Sequence, residues 1–580
     1  MKTSKFSRRK LLQKTGLALA ALSALPVRPA WAEQLLAHKS LLDNQSARAS
    51  YPIVSKVLTT LEHTVIPVSV PATSPKLLPN AVSQYSQYGY GAWQTGSGLS
   101  FQKRLDLMPP GYTGASAKNA ATLLRFFTMT DIHITDMQSP AQTIYFGLKG
   151  QPGMSSAYSP VILYTTHVLD AAVQTVNALH KEAAIDFGLF LGDAINNSQF
   201  NELRWYIDIL DGQTINPNSD PESVATTDYL RQYKAAGLDK SIPWYQVRGN
   251  HDHFWSGVFA PNDYLKQTLI GETLLNIDEQ ITSDKILDTR GYYMGVVDGS
   301  TPYGEVIKAG PLADFATPPK VNANPDRRHI DKNDWIAEFF NTASNPVGHG
   351  FSRDNALTGL ANYTFEPKAD LPIKVIVLDD TENDDTDFGT RANGASGALD
   401  EERYAWLVKE LDKGQADGKL MIVAAHVPIG IGPMWDTASS PSETDLIGKL
   451  HTYPNLILWV AGHRHYNTVT ALPSPDVDRP ELGFWEVETA SLRDFPQQFR
   501  IFDIVRNSDD TLSILAANVD PAVTPGSPAA ISRSYAVATA EIFNGMPPYT
   551  PSGAYNAELI IKLSAKMQAK IRNHGTPIRG

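Results

Sequence analysis

The sequence predicts an α/β domain with its chemistry on the loops, and two observations carry that reading. From about residue 121 to residue 505, apolar runs of strand length alternate with longer runs of helical period. Most of these apolar runs end in aspartate, asparagine or histidine, and strand ends on one side of such a sheet converge in space.

Taken in order, residues 123–129 (Leu-Leu-Arg-Phe-Phe-Thr-Met) read as a buried strand ending at Asp131 and His133. A helical pattern over 161–181, with Val168, Ala171, Ala172, Val176 and Leu179 as its apolar positions, leads to a second strand over 187–191 that ends at Gly192-Asp193. A helix over 200–210 precedes a strand over 242–247. That strand runs into Gly249-Asn250-His251-Asp252, where Gly249 allows a sharp turn. From 254 to about 370, stretches rich in Gly, Pro, Asp and Asn interrupt short strand and helix signals, which predicts an insertion that covers the site and selects substrate. The core resumes with a strand over 373–378, a helix over 400–411 bounded by Gly414 and Gly418, and strands over 420–425, 456–460, 484–489 and 499–505. His426 follows the strand at 420–425, and Gly462-His463-Arg464-His465 follows the one at 456–460. Residues 33–118 are an N-terminal extension, partly helical over 35–54 and expected to wrap over the main domain. Residues 506–580 are a C-terminal extension expected to hold one amphipathic helix over 557–571.

The first 32 residues are of a different kind. A basic region without acids (Lys2, Lys5, Arg8, Arg9, Lys10, Lys14) precedes a short apolar run and the small-x-small sequence Ala30-Trp31-Ala32, which together read as a signal peptide. Ser7-Arg8-Arg9 followed by Leu11-Leu12 resembles a twin-arginine signal, so the export machinery is an expected partner and the periplasm or the exterior the expected location. No later stretch reaches the about 18 apolar residues of a spanning helix, so the mature form is expected to lack a transmembrane segment. The whole chain carries a net charge of −11, and removing a basic leader leaves it more acidic. That argues against a general nucleic-acid-binding or anionic-membrane surface. There is no cysteine, hence no disulfide and no thiolate metal ligand.

Five strand ends therefore carry Asp131-x-His133, Gly192-Asp193, Gly249-Asn250-His251-Asp252, His426 and Gly462-His463-Arg464-His465. Asp-x-His and His-x-His place two side chains on one face of an extended segment. Imidazole with carboxylate and no thiolate suits Mn, Fe, Zn, Co or Ni. Two such ions about 3.5–4 Å apart need a shared anionic ligand and would clamp a displacement at phosphorus.

This ordered set resembles the calcineurin-like metallophosphoesterases, a family of dinuclear phosphatases and phosphodiesterases, over roughly residues 121–505 with the middle insertion excepted. The resemblance implies a two-sheet β sandwich flanked by helices, a phosphoesterase domain over 119–505, and two metal ions as cofactor. It implies that Asp131, His133 and His465 bind one ion, that Asn250, His426 and His463 bind the other, and that Asp193 bridges them. A water or hydroxide between the ions would be the nucleophile. His251 would act at the leaving-group oxygen, with Asp252 orienting it. In the related purple acid phosphatases a tyrosine stands three positions after the bridging aspartate. Here that position is Asn196, so a tyrosinate–iron(III) pair is not expected, and Asn196 or Asn197 either bonds around the site or starts a helix.

The function implied is hydrolysis of a phosphate monoester or diester, with a small molecule favoured over a polymer as substrate. Two other classes stand beside it: a metal-free binding scaffold on the same fold, and a metal hydrolase of non-phosphate esters. Among weaker features, Arg464 is expected to point away from the metals, and Arg493 is the candidate cation for a substrate phosphate. His253, Trp255 and the segment 488–496 are candidate cleft walls. The acidic run 379–387 reads as a solvated loop, with Asp379 the member to watch near the site.

Overall fold

The computed structural model describes residues 48–148, 155, 157–220, 222, 227–276, 291–383, 395–432, 434–436, 439, 441–544 and 555–578. The signal sequence 1–32, most of the helix expected over 35–54 and the acids at 384–387 lie outside them.

Two sheets form the body. The first contains β1 (Gln102–Arg104), β2 (Asn119–Met129), β3 (Phe187–Phe190) and β4 (Trp244–Gln246). Helix α1 (Thr165–Glu182) leads into β3, and α2 (Phe200–Leu210) follows it. The second sheet contains β5 (Tyr363–Phe365), β6 (Ile373–Val377), β7 (Leu420–Ala424), β8 (Leu456–Ala461), β9 (Thr468–Leu472) and β10 (Phe484–Glu488). Its crossovers use α3 (Glu401–Ala416) and α4 (Glu443–Leu450). The chain then returns to the first sheet through β11 (Phe499–Asn507), β12 (Leu512–Val519) and β13 (Asn556–Ile561), with α5 (Pro528–Asn544) between the last two and α6 (Ala565–Ile571) after them. Strand order is β1-β13-β12-β11-β2-β3-β4 in the first sheet, with Thr576–Pro577 adding a bridge to β2, and β5-β6-β7-β8-β10-β9 in the second.

The packing follows the two-residue period of the strands. In β7, Leu420, Ile422 and Ala424 enter the core shared by the two sheets, while Met421 and Val423 face Leu407, Leu411 and Leu446 of α3 and α4. Both faces being buried, β6, β7 and β8 read as unbroken apolar runs. Each sheet holds a parallel set, β2-β3-β4 in one and β6-β7-β8-β10 in the other, so the carboxyl ends of both sets meet at one rim of the sandwich.

Three expectations change. Residues 557–571 are a strand and a separate helix: β13 pairs antiparallel with β12 over six residues, and that long-range pairing overrides the local helical period. The C-terminal extension adds a 17-residue helix, α5, that the tail reading lacked. The sheet also continues past residue 505 and takes in β1 from the leader, so the extensions complete the first sheet. Among the described residues no helix is long and apolar enough to cross a membrane.

Candidate metal centre

The loops at the common rim position the chemistry. Asp131 and His133 leave β2 with φ of 51° and 48°, Asp193 leaves β3 with 51°, and His463 and His465 leave β8 with 80° and 64°. Non-glycine residues seldom enter this left-handed region, at a cost of about 1–3 kcal/mol each, and such strain gathers where function holds it. These turns correct the reading that alternation along an extended segment brings Asp131 to His133 and His463 to His465. Ile132 goes into the core, and Arg464 turns away to Glu488 at 2.6 Å. The loops are stitched together by Asp131 N donating to Gly192 O (3.1 Å), His133 N to Asp193 O (3.0 Å) and Gly462 N to His426 O (3.0 Å).

In one group, His465 Nε2 lies 3.2 Å from His133 Nε2 and 3.3 Å from Asp131 Oδ1. Asp131 Oδ2 accepts from Thr130 Oγ1 and His463 N, whereas Oδ1 is buried without a hydrogen-bond partner. His465 Nδ1 is bound to Asp494 Oδ2 at 2.6 Å. In the other group, Asn250 Nδ2 donates to Gly257 O (2.8 Å), which aims Oδ1 inward to within 2.9 Å of His426 Nε2 and 3.2 Å of His463 Nδ1. His426 Nδ1 faces Leu191 O at 2.8 Å; a carbonyl only accepts, so that nitrogen carries a proton, and in the neutral ring Nε2 presents its lone pair inward. Asp193 stands between the groups, its Oδ2 3.6 Å from His133 Nε2 and 3.4 Å from His426 Nε2. Gly249 opens the expected turn, closed by Asp252 N donating to Gly249 O (3.3 Å), and it also serves this contact: a Cβ there would stand 2.3 Å from Asp193 N and Oδ1.

Lone pairs of nitrogen and oxygen 2.9–3.3 Å apart repel unless a proton or a metal cation stands among them. With the orphaned Asp131 Oδ1 and a donor set of carboxylate, amide oxygen and imidazole, this arrangement fits borderline or hard metal ions. The electrostatics agree. Burial disfavours charge on His426 and His465, but Asp193 outweighs it at the first and Asp131 at the second, pushing each up to about 10. Burial, joined by the charge on His426, pulls His463 down to about 3. Burial works against ionisation of Asp193 as well, yet the His426, His251 and His133 imidazoles outweigh it and hold the carboxyl well below its usual range.

His251 lies beside these groups. Its N–H donates to Asp193 Oδ1 (2.8 Å), and its Nδ1 lies 2.7 Å from Asn196 O, which leaves Nε2 for the cavity. Asp252 does not orient it. The Asp252 carboxylate accepts the backbone N–H groups of Gly249, Asp193, Ala194 and Ile195, so it fixes the loops and leaves the imidazole to a carbonyl. Asn196 and Asn197 bond around the site through backbone and side chain: both N–H groups donate to Glu202, Asn196 Oδ1 accepts from Arg493 and Asn197 Oδ1 from Ser256 N, and α2 begins only at Phe200.

Other expectations are corrected here. Arg493 is fully buried and donates to the Asn196 side-chain Oδ1 (3.0 Å) and to Ser155 O (3.3 Å), so it braces the residue whose backbone carbonyl holds His251, and it does not line the cavity. His253 and Trp255 are buried away from the cavity, bonded to Thr381 and to Ala141 O. Asp379 is paired with Arg248; its neighbour Asp380 reaches the site, accepting the N–H groups of His426 and Val427. Asp380 and Asp494 were missed as partners of ligands, although each follows an apolar strand just as the recognised residues do.

A cavity of about 390 Å³ opens above the cluster, with Asp193, Asn250, His251, His463 and His465 on its floor. Among the described residues, the insertion over 254–370 contributes only Ser256 and Val258 to its lining, against the expectation that it covers the site. The facing wall is α5, through Ala536, Thr539 and Ala540.

Fold and donor set together describe an α/β domain with clustered carboxylate and imidazole groups able to hold metal ions. Residues 124–371, less than half of the chain, match the family model described as calcineurin-like phosphoesterase. The matched span holds Asp131, His133, Asp193, Asn250 and His251 and stops short of His426, His463 and His465, which the second sheet returns to the same rim. Among solved structures, the chain is similar to a dimetal phosphatase from Danio rerio at 10% identity and a TM-score of 0.35, over 70% of this chain and 100% of that one. No curated protein matched.

Proposed function

We propose that the protein is a metal-dependent phosphoesterase that hydrolyses a phosphate monoester or diester at a two-ion centre. The observation that carries this is the placement of Asp193 Oδ2 between two separate groups of inward-facing donors. Asp131, His133 and His465 would hold one ion, Asn250, His426 and His463 the other, and Asp193 both. When bound, such ions act as Lewis acids at a phosphoryl oxygen and make water a nucleophile near neutral pH. The residues of the chain do the rest. His251 Nε2 holds or delivers a proton at the leaving-group oxygen, and the Asn196 carbonyl keeps Nδ1 protonated so that Nε2 is the working nitrogen. The Asp494 carboxylate on His465 Nδ1 fixes that ring and raises its basicity.

The experiment is metal analysis of the folded protein with parallel turnover of p-nitrophenyl and bis-p-nitrophenyl phosphate. About two ions per chain with turnover of either ester is expected. A protein that binds no Mn²⁺ or Zn²⁺ and turns over neither would be a scaffold. We further propose that residues 1–32 export the protein to the periplasm or beyond. Cell fractionation of an Arg8→Lys, Arg9→Lys variant is expected to show the precursor retained in the cytoplasm, and unchanged export would remove the twin-arginine assignment.

A further inference from the structure

We propose that the cavity takes a single phosphoryl group on a compact, uncharged organic group, aromatic or aliphatic, and that α5 sets the size of that group. The proposal rests on the phosphoesterase reading above. Over the polar floor, the upper cavity is lined by Val258, Met434, Phe495, Tyr466, Ala536 and Ala540. Tyr466 is 60% exposed, an aromatic face at the mouth. Apart from the histidines, Arg464 is the one cationic side chain among the described lining residues, and Glu488, itself fully buried, holds it through contacts of 2.6 and 3.2 Å. Pulling Arg464 off that buried carboxylate would leave a charge unpaired in the core, so it is not available for a second phosphate. Asp494 adds a negative charge to the same wall.

Helix α5 is a fixed wall. Ala536, Thr539 and Ala540 fall on one helical face, and the Thr539 hydroxyl is spent on Tyr535 O (2.7 Å), so the surface offered is small and mainly apolar. Ala538, Ile542 and Phe543 pack against Leu77, Val82 and Tyr85 of the leader. Gly91 N donates to Glu541 Oε2 (2.9 Å), Trp93 Nε1 to Ser534 Oγ (3.2 Å), and the Arg533 guanidinium lies 5.3 Å from the Trp93 ring centre. Leader and tail thus clamp α5 over the floor.

The test measures kcat/KM of the metal-loaded protein for phenyl phosphate, 1-naphthyl phosphate and ATP. The wild-type protein is expected to favour the aryl esters over ATP by about tenfold or more. Ala540→Leu should lower the naphthyl-to-phenyl ratio by about tenfold. Ala540→Lys should raise ATP relative to phenyl phosphate. Melting curves and metal content report folding of each variant, and Ala540→Val carries the size comparison if the leucine does not fold. ATP matching the aryl esters, or ratios unmoved in folded variants, would overturn this inference and leave the phosphoesterase reading standing. Two bound ions with no turnover of any ester would overturn both.

Discussion

The two halves of the proposed metal centre are built alike but held differently. His465 of the first group leans on a carboxylate, Asp494, and its side chain is 16% exposed. His426 of the second leans on a backbone carbonyl, and its side chain is fully buried. A carboxylate partner adds charge and basicity to its histidine, whereas a carbonyl partner sets only the tautomer and the ring angle. The first position therefore depends on a side chain that mutation can remove, and the second on main chain that it cannot. The same contrast applies to His251, which is held by the Asn196 carbonyl while Asp252 is spent on four amides.

The largest effect expected from breaking this scheme is on His251, the proposed proton-handling residue, which the proposed scheme assigns to neither ion. His251→Ala should lower turnover by about 10²–10⁴-fold with both ions retained, read by steady-state rates beside metal analysis. Loss of metal in that variant would make His251 a ligand. Next, Asp494→Asn should weaken one ion by about 10–100-fold and leave the other unchanged, visible as two separated steps in a chelator titration. Two ions weakening together would erase the distinction between the halves.

Much of this centre is readable in the sequence, because a residue at the end of an apolar strand keeps its address whatever surrounds it. The boundaries of α2 and the strand-end placement of Asp193, His426 and His463 are local facts of this kind. Left-handed turns at Asp131 and His133 are not legible, since they arise from hydrogen bonds to a loop some sixty positions away. Nor is β13, whose Asn-Ala-Glu-Leu-Ile-Ile run has a helical period until β12 pairs with it. Helix α5 did leave a signal, Ser527-Pro528 before an Ala-rich run, and the Ser527 hydroxyl does accept from Ala530 N. Its role as a wall is set by the leader, which no local pattern announces.

Smaller effects belong to the frame around the centre. At Gly91, with φ of 75°, a Cβ would stand 2.4 Å from Ser534 O, so Gly91→Ala should loosen α5 from the leader. A melting point lower by several degrees, for about 1–2 kcal/mol, is expected with metal content unchanged. An unmoved melting point would detach the leader from the account of the wall. His349, buried and stacked on Trp244 with ring centres 3.3 Å apart, is pulled down to about 3 by burial from its ordinary 6.5. It stays neutral in the fold while the unfolded chain takes up a proton, so stability is lost as pH falls from 6.5 toward 3, by at most about 1.4 kcal/mol per pH unit. His349→Gln should flatten that limb of the melting-temperature profile, and an unchanged slope would place the acid sensitivity elsewhere.

The central claim is that one carboxylate joins the two halves, and metal stoichiometry of Asp193→Ala beside the wild-type protein tests it most directly. Two ions in the wild-type protein and fewer than one in the folded variant is the result predicted. Two tightly held ions in Asp193→Ala would contradict it.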